Sequence, residues 1–596
     1  MEEKNLEEHD DRRALKPLNG KINARKLWAF DIETYGQKNK FVMGSIVGDP
    51  LRKSKNNICK TFWDKNEFID YIFSNKHTFE QGFIYATNLN FDILALVNET
   101  EKIKDIRPII RGSQMLSVKF SDDRRHSITF VDSWNFLKVS VEKMGKIVGI
   151  PKLHKPDFLG SKPKNYGQEQ ELIAYNIQDA KITYKFMKLL QSGFNELGCN
   201  LKLTVASTAM DLFRRRFLQK TLYQPRRFIT DYQYNAYYGG RTEVIKRGLV
   251  KNLNYYDVNS LYPSVMLGEY PDPNRMTYSR IIKPSTIKDY EGIAQVKLTA
   301  PDMYIPYLPF RMEQKDKTKK LVFPCGAFRG YYTFYELRKA LELGYTIDKF
   351  YDGVIYFKTF RPFEEYVDVL YKLRKKFKEN KDVREIVVKL MMNSLYGKFA
   401  QKIDKKEKIL HKDKVTIKMI EKMQQVNRSG DFFIINEDYK KIPNFVNPIF
   451  SIYTTAYARD TLYDFIQKSG EKKTFYYDTD SLFTKSNFST SLELGDMKKE
   501  FTIKTGILVK PKMYVIDDFV KCKGLFKLSR DEFKEVLSTR RATLTRFVKF
   551  KEANRRGLYY NEKIRYDKFL DLEDNKRSWE GSFSPFDSHD SKPIII

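Results

Sequence analysis

The first strong hydrophobic pattern along the chain begins at Lys26. Leu27, Ala29, Asp31 and Glu33 fall on one face of an extended segment, and Trp28, Phe30 and Ile32 on the other. Apolar runs predict further strands over residues 41–47, 83–86 and 128–131. A 3.6-residue repeat predicts a long amphipathic helix over residues 169–190. Strands followed by a helix in one compact stretch predict an α/β or α+β unit ending near residue 195. Downstream, residues 253–258 read as a strand running into a turn at Pro263, and residues 364–400 are dominated by helical spacing. Residues 474–484 read as two short strands around a tight turn at Thr479 and Asp480. Residues 1–25 read as a solvated tail, and residues 402–444 as a polar, lysine-rich segment without a core pattern.

Composition narrows the class. The 596 residues leave room for about four domain-sized units. Apolar residues make up 41% and charged residues 31%, enough hydrophobic material to exclude a wholly disordered chain. No run approaches the ~18 consecutive apolar residues of a membrane span. The acidic opening MEEKNLEEHDDRR is unlike a secretory leader, so a cytoplasmic location without membrane attachment is expected. Cys59, Cys199, Cys325 and Cys522 are far apart, and the 6 histidines are scattered singly. Neither pattern predicts a zinc ribbon, an iron–sulfur cluster, a disulfide framework or a histidine-based metal site. The net charge of +31 points to a polyanionic partner, with nucleic acid first among candidates. Aromatic residues, at 14%, add stacking platforms for unpaired bases, although most must be core.

The candidate chemistry lies in carboxylates that interrupt apolar strands. Phosphoryl-transfer enzymes often hold two divalent metals about 4 Å apart with carboxylates fixed on rigid elements. Asp31 and Glu33 share one strand face, but acidic–x–acidic triplets are expected about ten times by chance in such a chain, so that pair needs context. Asp92 follows the strand over residues 83–86. Tyr175 and Asp179 share a helix face at i, i+4, a spacing that a surface acid beside a core tyrosine would also produce. Asp257 ends the strand over residues 253–258, and Asp478 and Asp480 flank a hairpin tip in YYDTDS. A given tetrapeptide such as DTDS is expected about 0.004 times in a chain of this length. A calcium loop is excluded there because its remaining oxygen ligands and terminal Glu are missing.

The order of these motifs resembles a known family. DIET (residues 31–34), NLNFD (88–92) and YNIQD (175–179) resemble the three motifs of a DnaQ-like 3′–5′ proofreading exonuclease. DVNSLYPS (257–264), KLMMNSLYGKF (389–399) and YYDTDS (476–481) resemble polymerase motifs A, B and C of family B DNA polymerases, and YYGG (237–240) and KMY (512–514) resemble two of its DNA-contact motifs. The gaps are long: 132 residues separate Asp257 from Lys389, and 85 separate Asn393 from Asp478. The protein-primed branch, typified by small Bacillus phages, carries extra segments there. The chain therefore resembles a protein-primed replicase of a phage or linear element. Where phage relatives often have Ser-Leu, this chain has Ser133-Trp134, and the middle residue of Lys-x-Tyr is Met513.

The resemblance implies an α+β multidomain fold: an RNase H-like exonuclease domain, then a right-hand polymerase of palm, fingers and thumb with two inserted segments. The implied divisions are a tail (1–25), exonuclease (26–195), linker and palm with motif A (196–284), a first insertion or terminal-protein region (285–362), fingers with motif B (363–400), a second insertion (401–447), palm with motif C (448–518), and thumb with C-terminal tail (519–596). It implies Asp257, Asp480 and the carbonyl of Val258 as polymerase metal ligands with Asp478 alongside, and Asp31, Glu33, Asp92 and Asp179 as exonuclease ligands. The cofactor implied is Mg²⁺, two per site, with Mn²⁺ able to substitute. Tyr175 would orient the attacking water, and Lys155 would be an auxiliary catalytic lysine. Ser260, Leu261, Lys375 (or Arg374), Lys389, Asn393, Tyr396 and Gly397 would surround the incoming nucleotide, with Tyr262 as a steric gate against ribose. Asn88, Phe91, Ser133, Tyr237, Gly239, Gly240, Thr455, Arg459, Lys512 and Tyr514 would contact DNA. The partners implied are primer-template and single-stranded DNA, dNTPs and a terminal priming protein, for a monomer working in the cytoplasm of a host or infected cell. The activity implied is processive, strand-displacing DNA synthesis with proofreading. A primer-independent family B polymerase, a nuclease with a clamp-like polymerase half, and a non-catalytic single-strand binder remain as alternatives.

Overall fold

The structure, a computed structural model, describes residues 9–52, 54–97, 103, 105–122, 126–314, 316–402, 405–417, 426–429, 432–438, 442–525, 528–556 and 562–596. Two large sheets organise the chain. The first has ten strands in the order Val426–Ser429, Phe432–Asp438, Lys405–His411, Asp105–Arg111, Gln114–Ser121, Ser127–Asp132, Gly82–Ala86, Lys26–Tyr35, Lys40–Gly48 and Ile58–Phe62. Lys26–Tyr35 pairs in parallel with Gly82–Ala86, which pairs in parallel with Ser127–Asp132. Gly82–Ala86 is buried along its whole length, as parallel strands covered on both faces should be. A 32-residue helix, Tyr166–Leu197, packs across this sheet. Its N-cap Asn165 accepts from the Gln168 amide, and it ends at Gly198 in the left-handed region (φ 101°), where a Cβ would be strained.

The second sheet has nine strands. Its centre is Lys246–Val258, flanked by Ser481–Thr484 and Met497–Lys510, with the hairpin partner Thr474–Asp478 beyond. The segment Ser588–Lys592 also pairs with the Lys246 end. A four-stranded sheet (Met276–Ser279, Thr346–Tyr356, Glu291–Ala300, Gly326–Thr333) is built from residues within the first long gap between motifs. Helices Glu364–Glu379 and Arg384–Ser394 run side by side, and Pro448–Ser469 lies buried beneath the second sheet's site.

Two expectations need correction. Residues 1–25 are not simply a solvated tail, because His9–Leu15 pairs antiparallel with Leu222–Pro225 and Ala14 and Leu15 are buried. Nor is the segment over residues 402–444 without a core element. Lys405–His411 extends the ten-stranded sheet by pairing with Asp105–Arg111, and Ile409 enters the core with Ile106 and Phe120. Ile409 and Leu410 are adjacent rather than alternating, so their burial leaves no two-residue period for the sequence to signal that strand. Lys418, one of the lysines of this segment, lies outside the described residues.

Candidate active sites

Register decides how the motif carboxylates meet. Asp257 stands opposite Ser481, and the Val258 amide donates to the Asp480 carbonyl (2.7 Å). The hairpin turns through Thr479, whose φ of 66° is left-handed, and its amide is held by the Arg241 carbonyl (2.7 Å). These constraints bring Asp257 and Asp480 together at the end of the second sheet. Burial and then the Asp480 charge push the Asp257 carboxyl up to about 7. Burial and the neighbouring Asp478 raise Asp480 as well. Asp478 behaves differently. Burial alone would raise it, but Lys512 Nζ donates to both its oxygens (2.6 and 2.7 Å), Thr242 and Tyr476 donate too, and the carboxyl ends below its ordinary value. Asp478 is thus neutralised by protein, whereas nearby lysine charges only partly offset the raising of Asp257 and Asp480.

Around this pair, Lys389, Asn393 and Tyr396 lie along one side of the Arg384–Ser394 helix and the turn after it, with Lys389 and Gly397 exposed. The Lys389 charge acts on Asp257 and lowers its carboxyl against the raising effects. Asn393 donates to its own helix at the Lys389 carbonyl. The Tyr262 and Tyr396 rings stack at 4.6 Å, nearly parallel. Ser260 is left-handed (φ 56°), and Leu261 opens the helix Leu261–Val265 with its side chain in the core. A Cβ on Gly240 would lie 3.0 Å from Thr479 and 3.1 Å from the Tyr262 hydroxyl, so the YYGG turn closes on this site at that glycine. Gly239 faces open space, and Tyr237 is half-buried.

The second constellation sits on the ten-stranded sheet. Asp31 and Glu33 project from Lys26–Tyr35 towards the long helix, where Asn176 Nδ2 donates to both (2.8 and 3.4 Å). Asp92 is buried in the first turn of the helix Leu89–Val97, reached through Asn88 at φ 67°. Burial raises Asp31 well above the usual carboxylate range, and Glu33, Asp92 and Asp179 add to it. Asp92 is raised mainly by burial too, as is Asp179 despite an ion pair with Lys152. Asp179 Oδ1 is buried without a hydrogen-bond partner among the described residues. Four neighbouring carboxylates, all raised chiefly by burial, with an unmatched buried oxygen among them, fit an oxygen-coordinated divalent cation; Asp257 and Asp480, likewise raised by burial and by a neighbouring carboxylate, can take one too.

The description "DNA polymerase type B, organellar and viral" matches residues 160–477, more than half of the chain. The chain belongs to that family. Its fold is that of Phi29 DNA polymerase: a ternary complex of that enzyme with primer-template DNA and incoming nucleotide superposes at a TM-score of 0.71, covering 92% of this chain and 100% of that one at 18% identity. "Probable DNA polymerase" of Ascobolus immersus is 25% identical over 85% of this chain and 48% of its own length. The DNA polymerase of Streptococcus phage Cp-1 is 25% identical over 80% of this chain and 82% of its own. The chain spans about half the length of its Ascobolus, Podospora and Neurospora relatives, between 43% and 51%.

Within this type B polymerase fold, several expected residues stand elsewhere than anticipated. Lys155 is exposed, and it is Lys152 that pairs with Asp179 and lies 4.5 Å over the Tyr175 ring. Lys375 is half-buried and paired with Glu493, while Arg374 Nη1 donates to Ser260 Oγ (2.8 Å). Ser133 is fully buried and hydrogen-bonds Thr87, so it is not placed to touch DNA. Thr455 is buried and donates to its own helix. Arg459 is buried on Glu336 and donates to the Tyr238 and Gly239 carbonyls (3.0 and 3.1 Å), which makes it a brace for the YYGG turn. Tyr514 packs in the core against Tyr476 and Phe483. Phe91 meets Phe547 at 5.1 Å. Sequence reasoning missed Asn176, adjacent to Tyr175 in YNIQD, and Asp132, pushed up to about 7 by burial although it accepts from the Asn88 and Trp134 amides. The signal available was a place inside the YNIQD motif for Asn176 and directly before Ser133-Trp134 for Asp132.

Proposed function

We propose that this chain is a DNA-directed DNA polymerase with a 3′–5′ proofreading exonuclease, replicating linear DNA by protein-primed, strand-displacing synthesis. The observation that carries the polymerase half is the strand register that joins Asp257 to Asp480 beside an exposed Lys389. Asp257, Asp480 and the Val258 carbonyl would hold Mg²⁺ there, and Asp31, Glu33, Asp92 and Asp179 would hold it at the exonuclease. Bound, the ions supply charge neutralisation and a more acidic 3′-hydroxyl or water. Lys389 and Arg374 neutralise the triphosphate. Tyr262, held flat on Tyr396, blocks a ribose 2′-hydroxyl. Lys512, already on Asp478, presents its ammonium to the primer terminus. At the exonuclease, Tyr175 keeps its proton because burial raises its hydroxyl, and it can donate to the attacking water while Lys152 holds Asp179 in place.

The two segments between the polymerase motifs support protein priming, since a terminal protein needs a surface beside the nascent strand. Asp257→Asn should reduce nucleotide incorporation by orders of magnitude while leaving primer degradation intact. Priming by protein predicts products whose 5′ ends resist 5′-exonuclease until treated with protease. Free 5′ ends would favour primer-independent initiation.

A further inference from the structure

We propose that His77, Glu80 and His126 form a transition-metal site, of the Zn²⁺ class, that is separate from both carboxylate centres. The chain has only 6 histidines, and no two lie close in sequence in a metal-binding spacing. Folding nevertheless brings two of them together. His77 lies in the single helical turn Lys76–Phe79 and Glu80 caps it, so a spacing of three residues puts both on one side. His126 immediately precedes the strand Ser127–Asp132. One donor atom from each of the three lies within 4.8 Å of the others. The histidine rings meet edge-on at 5.0 Å, and His126 Nδ1 is 3.2 Å from both Glu80 oxygens. Ligands on a tetrahedral zinc ion stand about 3.3 Å apart, so small side-chain rotations suffice.

The surroundings hold these ligands in place. Glu80 Oε1 accepts from the Ser127 amide (2.8 Å). The His126 amide donates to Asp122 Oδ1 (3.0 Å), and Lys76 donates to Asp122 Oδ2 (2.9 Å). Such outer hydrogen bonds fix ligand orientation in metal sites. Two imidazoles and one carboxylate favour a borderline ion over Mg²⁺, the reverse of the all-oxygen centres. Position points to a structural role. Glu80 and His126 stand at the N-terminal ends of two paired parallel strands, Gly82–Ala86 and Ser127–Asp132, whereas Asn88 and Asp132 stand at the opposite ends. The ion would staple the two strands at the end remote from the exonuclease carboxylates.

The test uses the full chain, stripped by chelation and then held in excess Mg²⁺ so that the carboxylate centres are occupied. Titration with Co²⁺ should give tetrahedral visible bands that one equivalent of Zn²⁺ abolishes, and Zn²⁺ should raise the melting temperature. His77→Gln, at an exposed position, should weaken Co²⁺ binding by ~10-fold or more. His77→Gln with His126→Gln should abolish the bands and the thermal shift while Mg²⁺-dependent incorporation and degradation persist. Absence of tetrahedral bands in the parent, or bands and thermal shift unchanged in the double variant, would overturn the proposal.

Discussion

Tyr262 sits where three features converge: it stacks on Tyr396, approaches Gly240, and lies close enough to Asp480 for that charge to help raise its hydroxyl, chiefly buried, to about 12. Removing the ring in Tyr262→Val should let ribonucleotides in. The ratio of dNTP to rNTP kcat/KM should fall by orders of magnitude, because a steric clash costs several times the ~1.4 kcal/mol of a tenfold effect. An unchanged ratio in a folded variant would remove Tyr262 from that role. Lys398, in the KLMMNSLYGKF motif that also carries Tyr396, is a different case. Burial, with the Arg111 charge adding to it, lowers its ammonium to about 8. It still donates to Ser207 Oγ (3.0 Å) and lies over the Phe445 ring. Below about pH 8 both folded and unfolded chains carry the proton, and the folded state bears the full cost of the buried charge. Between about 8 and 10.4 the unfolded chain binds more protons, so this lysine's contribution to stability rises with pH. The melting-temperature advantage of Lys398→Met should therefore shrink as pH rises through that window, and a constant difference would contradict the burial argument. The carboxylates were legible in the sequence because acids inside apolar strands are conspicuous. Lys152 was not, since one more lysine in a chain with 107 basic residues carries no spacing signal, and Arg374 stood only as the alternative to Lys375.

At the scale of elements, the strand Lys405–His411 ties the second insertion to the ten-stranded sheet. Ile409 is fully buried there, so Ile409→Ala should cost about 2–5 kcal/mol in denaturant unfolding. A cost near zero would mean that the strand is not docked in solution. If the insertion also guides DNA, deleting residues 405–438 should shorten products made in one binding event and stop synthesis at a duplex block; Ile409→Ala separates that effect from lost sheet packing. A second such tie comes from the chain's far end. Val548, Phe550 and Ala553 enter the core beneath the first sheet, and the Phe550 amide donates to Asn90 across 460 residues of sequence. Local periodicity predicted the long helix, the motif strands and the hairpin because those patterns repeat within a few residues. It could not predict that residues 405–411 or 548–553 would complete a core laid down near residue 30, because that information lies in shape complementarity between distant segments.

For the whole molecule, a net charge of +31 on a type B polymerase fold predicts binding to primed duplex that weakens linearly in log–log plots against salt, with a slope near 0.9 per phosphate contacted. A flat salt response would mean that the charge faces something other than nucleic acid. The proposed function places two separable reactions on one primer terminus, at carboxylate centres on two different sheets. A labelled primer-template with Mg²⁺, with and without dNTPs, tests it directly on the parent, Asp31→Ala with Glu33→Ala, and Asp480→Ala. The parent should shorten the primer without dNTPs and extend it with them. The first variant should extend without shortening, and Asp480→Ala should shorten with extension reduced by orders of magnitude. Extension by Asp480→Ala at the parental rate, or shortening by the double variant at the parental rate, would contradict the account.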